Sequence, residues 1–152
     1  MATVYSVQKT KWDQTSPALK IKPNEHAGRV RMSYALYEAS AEQSDIQLFN
    51  LPNGARILSG ELVHDALGAS TTVSVGHGAY NTSAGVAVAA DVDEYKVAAA
   101  STSIATADIA ATTALGKFSV VDADEDGIPI TASIAGANGT GTVEVVMYWV
   151  LD

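Results

Sequence analysis

Apolar residues recur at every second position through most of this chain, which is the period of a half-buried strand rather than of a helix. From Arg29 to Glu38, Val30, Met32, Tyr34 and Leu36 fall on one face, and Arg29, Arg31 and Ser33 on the other. The stretch Asp45 to Gly78 predicts three further strands. Ile46-Gln47-Leu48 opens it, and the turn Leu51-Pro52-Asn53-Gly54 follows, with Pro52 fixing φ and Asn53-Gly54 tolerating positive φ. Ala55 to His64 then carries Ile57, Leu58, Leu62 and Val63, and Thr71 to Gly76 alternates Thr and Ser with Val73 and Val75.

Further along, Lys117 to Val121 reads as a strand, and Asp122-Ala123-Asp124-Glu125-Asp126-Gly127 as an acidic turn. Ile128 to Ala135 alternates strictly, with Ile128, Ile130, Ala132 and Ile134 together. Gly136 to Gly141 contains Asn138-Gly139, a hairpin signal, so a tight turn is expected there. Thr142 to Leu151 is apolar on both faces, which predicts a central strand. The Ala-, Ser- and Thr-rich region Ala79 to Gly116 is ambiguous. Ala89 to Ala100 is compatible with a short helix, while Tyr95-Lys96-Val97 and Ser103-Ile104-Ala105 are compatible with strands. The first 26 residues differ from the rest: two prolines and four lysines among scattered apolar residues predict an extended arm, with edge pairings through Val4 to Val7 and Ala18 to Ile21. Together these features predict an all-β chain, an antiparallel β-sandwich of jelly-roll type, with the arm at 1–26 and a single domain at 27–152.

Composition narrows the function. At 152 residues the chain is long enough for one real core, and its apolar fraction of 47% rests on Ala and Val rather than on its two Trp and two Phe. Nine Lys and Arg against seventeen Asp and Glu give a net charge of −8, which disfavours nucleic acid and anionic membrane surfaces as partners. The positive charge is concentrated early, at Lys9, Lys11, Lys20, Lys22, Arg29 and Arg31, and past Arg56 only Lys96 and Lys117 remain. Such an asymmetry suits self-assembly, or docking of a basic arm on an acidic surface. The absence of cysteine removes disulfides, thiol catalysis and Cys-ligated zinc, and fits synthesis in a reducing cytoplasm. No stretch reaches bilayer-spanning length, and the N-terminus lacks the basic-then-apolar order of a signal peptide.

Catalytic constellations are missing. Asp122-x-Asp124-x-Asp126-Gly127 begins like a calcium loop, but the position of the bidentate Glu is Ser133, so a solvated acidic turn is the expected reading and a weak calcium site the alternative. His26, His64 and His77 have no metal-ligand spacing; His64-Asp65 would be the one base–orienter pair, with a plain polar strand end as the simpler reading. Neither Gly76-His77-Gly78 nor Gly136 to Gly141 has the context of a phosphate loop. No cofactor, metal or catalytic residue is therefore assigned, and the protein is expected not to be an enzyme. Trp12, Tyr34, Tyr37, Val146, Tyr148 and Val150 are more apolar surface than one thin sandwich readily covers, which points to an interface.

Asp45-Ile46-Gln47-Leu48, Leu51-Pro52-Asn53-Gly54-Ala55-Arg56-Ile57-Leu58 and Val73-Ser74-Val75-Gly76 resemble the corresponding strands of small virion structural proteins of tailed bacteriophages, the head decoration, cement or minor capsid proteins. Val4-Tyr5-Ser6-Val7, Gly28-Arg29-Val30-Arg31 and Gly141-Thr142-Val143-Glu144 extend the resemblance over most of the chain. It implies a protein made in the host cytoplasm and located on the capsid surface of the virion. There it would bind the major capsid protein, cement neighbouring subunits and act as a homotrimer. A basic, aromatic arm carrying Val4, Tyr5, Lys9, Lys11, Trp12, Lys20 and Lys22 would lie across a subunit boundary. The alternatives are a head-fibre, knob or tail component, or a small carbohydrate-binding β-sandwich module; the scarcity of aromatic residues weighs against the last.

Overall fold

In a computed structural model, residues 6–20 and 29–151 are described, with the side chains of Val7, Gln8 and Trp12 left aside. One short helix, α1 (Val7–Trp12), precedes eight strands: β1 (Arg31–Leu51), β2 (Ala55–His64), β3 (Thr72–His77), β4 (Tyr80–Asn81), β5 (Ala87–Val88), β6 (Asp91–Ala100), β7 (Ala105–Ile109) and β8 (Ile128–Leu151).

The chain is organised by β8. Its first part, Ile130–Ala135, pairs with β3, and its second, Val143–Leu151, with β2. Strand β1 runs antiparallel along both parts, Arg31–Ser40 against Thr140–Trp149 and Ser44–Leu51 against Ile128–Ile134. The β1–β8 ribbon therefore belongs to two layers, one in the order β7-β2-β8-β1 and the other β6-β3-β8-β1. Leu51 pairs with Ile128 and Ala55 with Leu151, yet only residues 52–54 separate Leu51 from Ala55. The two ends of β8 must therefore meet, so the ribbon folds over on itself and the layers form a sandwich.

The fold-over explains a departure from the sequence expectation. Gly136 to Gly141 is no hairpin turn but the corner of a continuous strand. The register jumps from Glu42–Gly139 to Ser44–Ile134, and the left-handed φ values of Ala41 (62°), Gly136 (83°) and Gly141 (131°) bend the ribbon there. Glycine is required at 136, because a Cβ would sit 2.3 Å from the Ser70 carbonyl oxygen.

The core cluster draws on both layers. Leu62 lies opposite Val145, and Val73 opposite Ile134, and all four are buried. Each such side chain contributes about 1.5–3 kcal/mol relative to exposure. Strand β8 is hydrogen-bonded on both sides, as its two apolar faces predict. Trp149 is 8% exposed, and its Nε1–H donates to Ser33 Oγ at 3.0 Å.

Two other expectations are corrected and one ambiguity is resolved. The arm is not extended throughout. Ser6 Oγ accepts the Lys9 N–H and starts α1, while Pro17, one of the two prolines that discourage a helix across the segment, lies beyond its end. Ser16 to Leu19 forms a turn closed by the Leu19 N–H donating to Ser16 O, so Ala18 and Leu19 are not in a strand, and the rest of the expected pairings, Val4, Tyr5 and Ile21, lies outside the described residues. Of the two readings of Ala89 to Ala100, the strand holds: Asp91–Ala100 is β6 and includes Tyr95-Lys96-Val97, because Tyr95 is drawn into the core beside β3 and packing outweighs Ala propensity. Lys117 to Val121 is not a regular strand. Phe118 has φ 66°, and the segment pairs with β2 only through an isolated antiparallel bridge, Arg56 opposite Val120, with neighbouring bonds such as Phe118 N–H to Ile57 O and Val121 N–H to Ala55 O.

Candidate interaction surface

The clearest surface feature lies on the outside of the layer containing the first half of β1. Here the alternation was read correctly, and the apolar set is the one that faces solvent: Val30, Met32, Tyr34 and Leu36 are 53–61% exposed, while Ala39 is buried and Ser33, Ala35 and Tyr37 are half-buried. The core does not need this face, since the opposite faces of β8 and β2 already fill it with Val143, Val145, Met147, Ile57 and Leu62. Met32 lies opposite Tyr148, Tyr34 opposite Val146 and Leu36 opposite Glu144, so the apolar stripe continues onto half-buried Val146 and Tyr148. Of the side chains expected to exceed the core, Tyr34, Val146 and Tyr148 gather here, and Val150 is buried. Towards β2 and β7 the surface turns acidic: Glu61 pairs with Val146 and Asp108 with Glu61. Tyr34 Oη donates to Glu144 Oε2 at 3.1 Å, fixing the ring over the border between the two regions.

Of the residues assigned to an interface from the sequence, Lys9, Lys11 and Lys20 are described, on α1 and just after it. Val4, Tyr5 and Lys22 lie outside the described residues, as does the side chain of Trp12. Lys9 is exposed on α1 and ion-paired with Asp13, Lys11 is half-buried on the same helix, and Lys20 is exposed in the following turn.

The acidic turn is held by bonds to Ser83 and by bonds within itself. Asp122 accepts from the Ser83 N–H at 3.1 Å and from the Ser83 hydroxyl, and these bonds, the hydroxyl's first, lower its carboxyl pKa. Asp124 Oδ1 accepts the Asp126 N–H at 3.1 Å, and Gly127 closes the turn at φ 76°. Among the described residues no group of three His, Asp or Glu is placed to hold a metal.

His64 and Asp65 do not form a base–orienter pair. The His64 Nδ1 lies 2.8 Å from the Asp65 backbone oxygen, while Asp65 Oδ2 accepts the Thr142 N–H at 2.9 Å, the bond that most lowers its pKa.

Buried His77 has oxygen neighbours at both ring nitrogens, Gly78 O at 2.8 Å and Glu94 Oε2 at 3.0 Å, and stands edge-on to Tyr80. Sequence reasoning missed this clamp between β3 and β6 because seventeen residues separate His77 from Glu94. Gly76 was the available signal. A Cβ there would lie 2.0 Å from the Asp91 carbonyl oxygen, so the glycine admits β6. Tyr95 beside it is buried, and desolvation holds its hydroxyl well above the ordinary phenol range, so it is no base at neutral pH. The arrangement ties strands together and presents no activated nucleophile. Among the described residues no helix is long and apolar enough to cross a membrane.

No family model and no curated protein matches the chain. Solved structures do. A chain of the cyanophage Pam1 capsid asymmetric unit is similar over 84% of this chain and 88% of its own length, with a TM-score of 0.55 and 22% identity. A chain of the capsid of Ralstonia phage GP4 is similar over 88% of this chain and 92% of its own, with a TM-score of 0.57 and 19% identity. The fold, an antiparallel jelly-roll-like sandwich, is thus one that this chain shares almost end to end with chains from two phage capsids.

Proposed function

We propose that the protein is a structural component of a phage virion, a decoration or cement protein that binds the outer face of the capsid and ties neighbouring major capsid protein subunits together. One observation carries the reading: a fold shared over more than four-fifths of the chain with chains of two phage capsids. The exposed apolar stripe agrees with it, since so much unpaired apolar surface on a small domain suits an adhesive rather than a catalytic protein. On this reading the rigid sandwich supplies the body. The N-terminal segment, residues 1–26 with Lys9, Lys11, Trp12 and Lys20, reaches across a subunit boundary. The test is negative-stain imaging of phage heads lacking the protein, mixed with the full chain or with a chain starting at Asn24. The full chain should decorate the outside of the heads and the shortened chain should bind weakly. Heads left bare by the full chain would refute the reading.

A further inference from the structure

The first half of β1 is an edge, since among the described residues β1 pairs with β8 alone. We propose that this edge is the interface between two copies of the chain, joined as an antiparallel β1–β1 pair about a two-fold axis at Ser33.

Edges left open in natural sheets are ordinarily blunted by shortness, bulges or charge. The other two edges here follow that rule. Strand β7 has five residues and shows Asp108 on its outer face, while β6 loses register twice against β3 and carries Asp91, Asp93 and Glu94. The β1 edge does not. From Arg31 to Ser40 its register against β8 is unbroken, and Val30, Met32, Tyr34 and Leu36 stand exposed along it.

The occupant follows from the order of residues. In an antiparallel pair, directly opposed residues share a face. With the axis at Ser33, Met32 of one copy opposes Tyr34 of the other, and Val30 opposes Leu36. All four exposed apolar residues then meet an apolar partner on one continuous outer face. In this register Arg29 of one copy opposes Tyr37 of the other, next to Glu38, so the basic start of the stretch lies beside an acidic residue of its partner. An isologous contact of this kind closes at two copies, so the free protein is a dimer in place of the trimer that the family resemblance implies. The pairing does not rest on the virion reading, because it is tested on the isolated chain.

Light scattering of the purified full chain at micromolar concentration should give a dimer mass. Leu36→Lys keeps the fold, since the new ammonium faces Glu144 across the ladder, and it should weaken the dimer about tenfold or more by placing a charge in the apolar row. Circular dichroism checks that this variant is folded. The absence of native cysteine permits a register test. Opposed Cβ atoms lie about 4.5–5.5 Å apart and diagonal ones about 7–8 Å. Met32→Cys mixed with Tyr34→Cys should therefore form disulfide-linked heterodimers under mild oxidation, while each variant alone forms few. A monomer, a trimer, a folded Leu36→Lys that dimerises as well as the parent, or equal cross-linking by either variant alone would each overturn the proposal.

Discussion

Replacing Trp149 by alanine is the most informative perturbation of the sandwich. The indole is 8% exposed, it stands opposite the fully buried Ile57 of β2, its Nε1–H bonds Ser33 Oγ at 3.0 Å, and the Arg31 guanidinium lies 5.5 Å from its ring centroid. Truncation removes the largest side chain of β8's second half and leaves a cavity between β1 and β2, which costs about 3–5 kcal/mol. That is about 30–50% of a stability of about 10 kcal/mol, and a shift of roughly 6–20 °C in Tm for a domain of this size. Trp149→Phe keeps most of the packing and loses the bond to Ser33, so it should cost less than Trp149→Ala. By contrast, Asp126→Asn alters an exposed turn and should stay within about 0.5 kcal/mol. Asp122→Asn should cost more than Asp126→Asn because it disturbs the bonds from Ser83, yet less than Trp149→Ala. Denaturant melts of the four variants, compared by midpoint at constant slope, give the ranking. An aspartate variant that unfolds more readily than Trp149→Ala would refute the claim that β8, and not the acidic turn, anchors the fold.

Gly76→Ala should lower stability by more than about 1 kcal/mol, since its Cβ would meet the β6 backbone at 2.0 Å; a melt indistinguishable from the parent would show that β6 can move away. Asp65 and Asp122 both have carboxyl pKa values below the ordinary 3.8, so they stabilise the fold above that pH, and the contribution is lost as pH falls through their lower folded values. The double variant Asp65→Asn, Asp122→Asn should therefore show a shallower fall of Tm between neutral pH and pH 2, and an unchanged acid limb would place the effect elsewhere. Calorimetry should detect no calcium binding at millimolar metal, because Asp122 is engaged by Ser83 and Asp124 by the Asp126 N–H; saturable heat would identify a site.

The period of two along the chain made the sandwich legible, as did the turn at Pro52 to Gly54, where the Ala55 N–H donates to Pro52 O at 3.1 Å. The central place of β8 was legible too, in the apolar residues on both of its faces. What the pattern does not carry is which apolar face is inside. Val30, Met32, Tyr34 and Leu36 alternate as a core face would, and only the pairing of β1 at the edge, beside a β8 whose other face is already covered, puts them outside. Corner and hairpin likewise share one chemistry, since glycines with left-handed backbone suit both, and the choice was made by β3 gripping β8 before the bend and β2 after it, with β1 along both parts. Helix α1 was hidden because its signal, Ser6 three residues before Lys9, is short and lies in a segment otherwise marked by prolines. The candidate surface was visible only in part, as a surplus of Tyr34, Val146 and Tyr148, since its location depends on cross-strand register that no local motif encodes.

The most direct test of a cementing role is mechanical. Phage heads prepared without the protein are heated in the presence and absence of the purified full chain, and release of their contents is followed by light scattering and dye access to DNA. Heads saturated with the protein should open at a higher temperature than bare heads, with the shift scaling with occupancy. Heads that bind the protein and open at the same temperature as bare heads, or that bind none of it, would contradict the account.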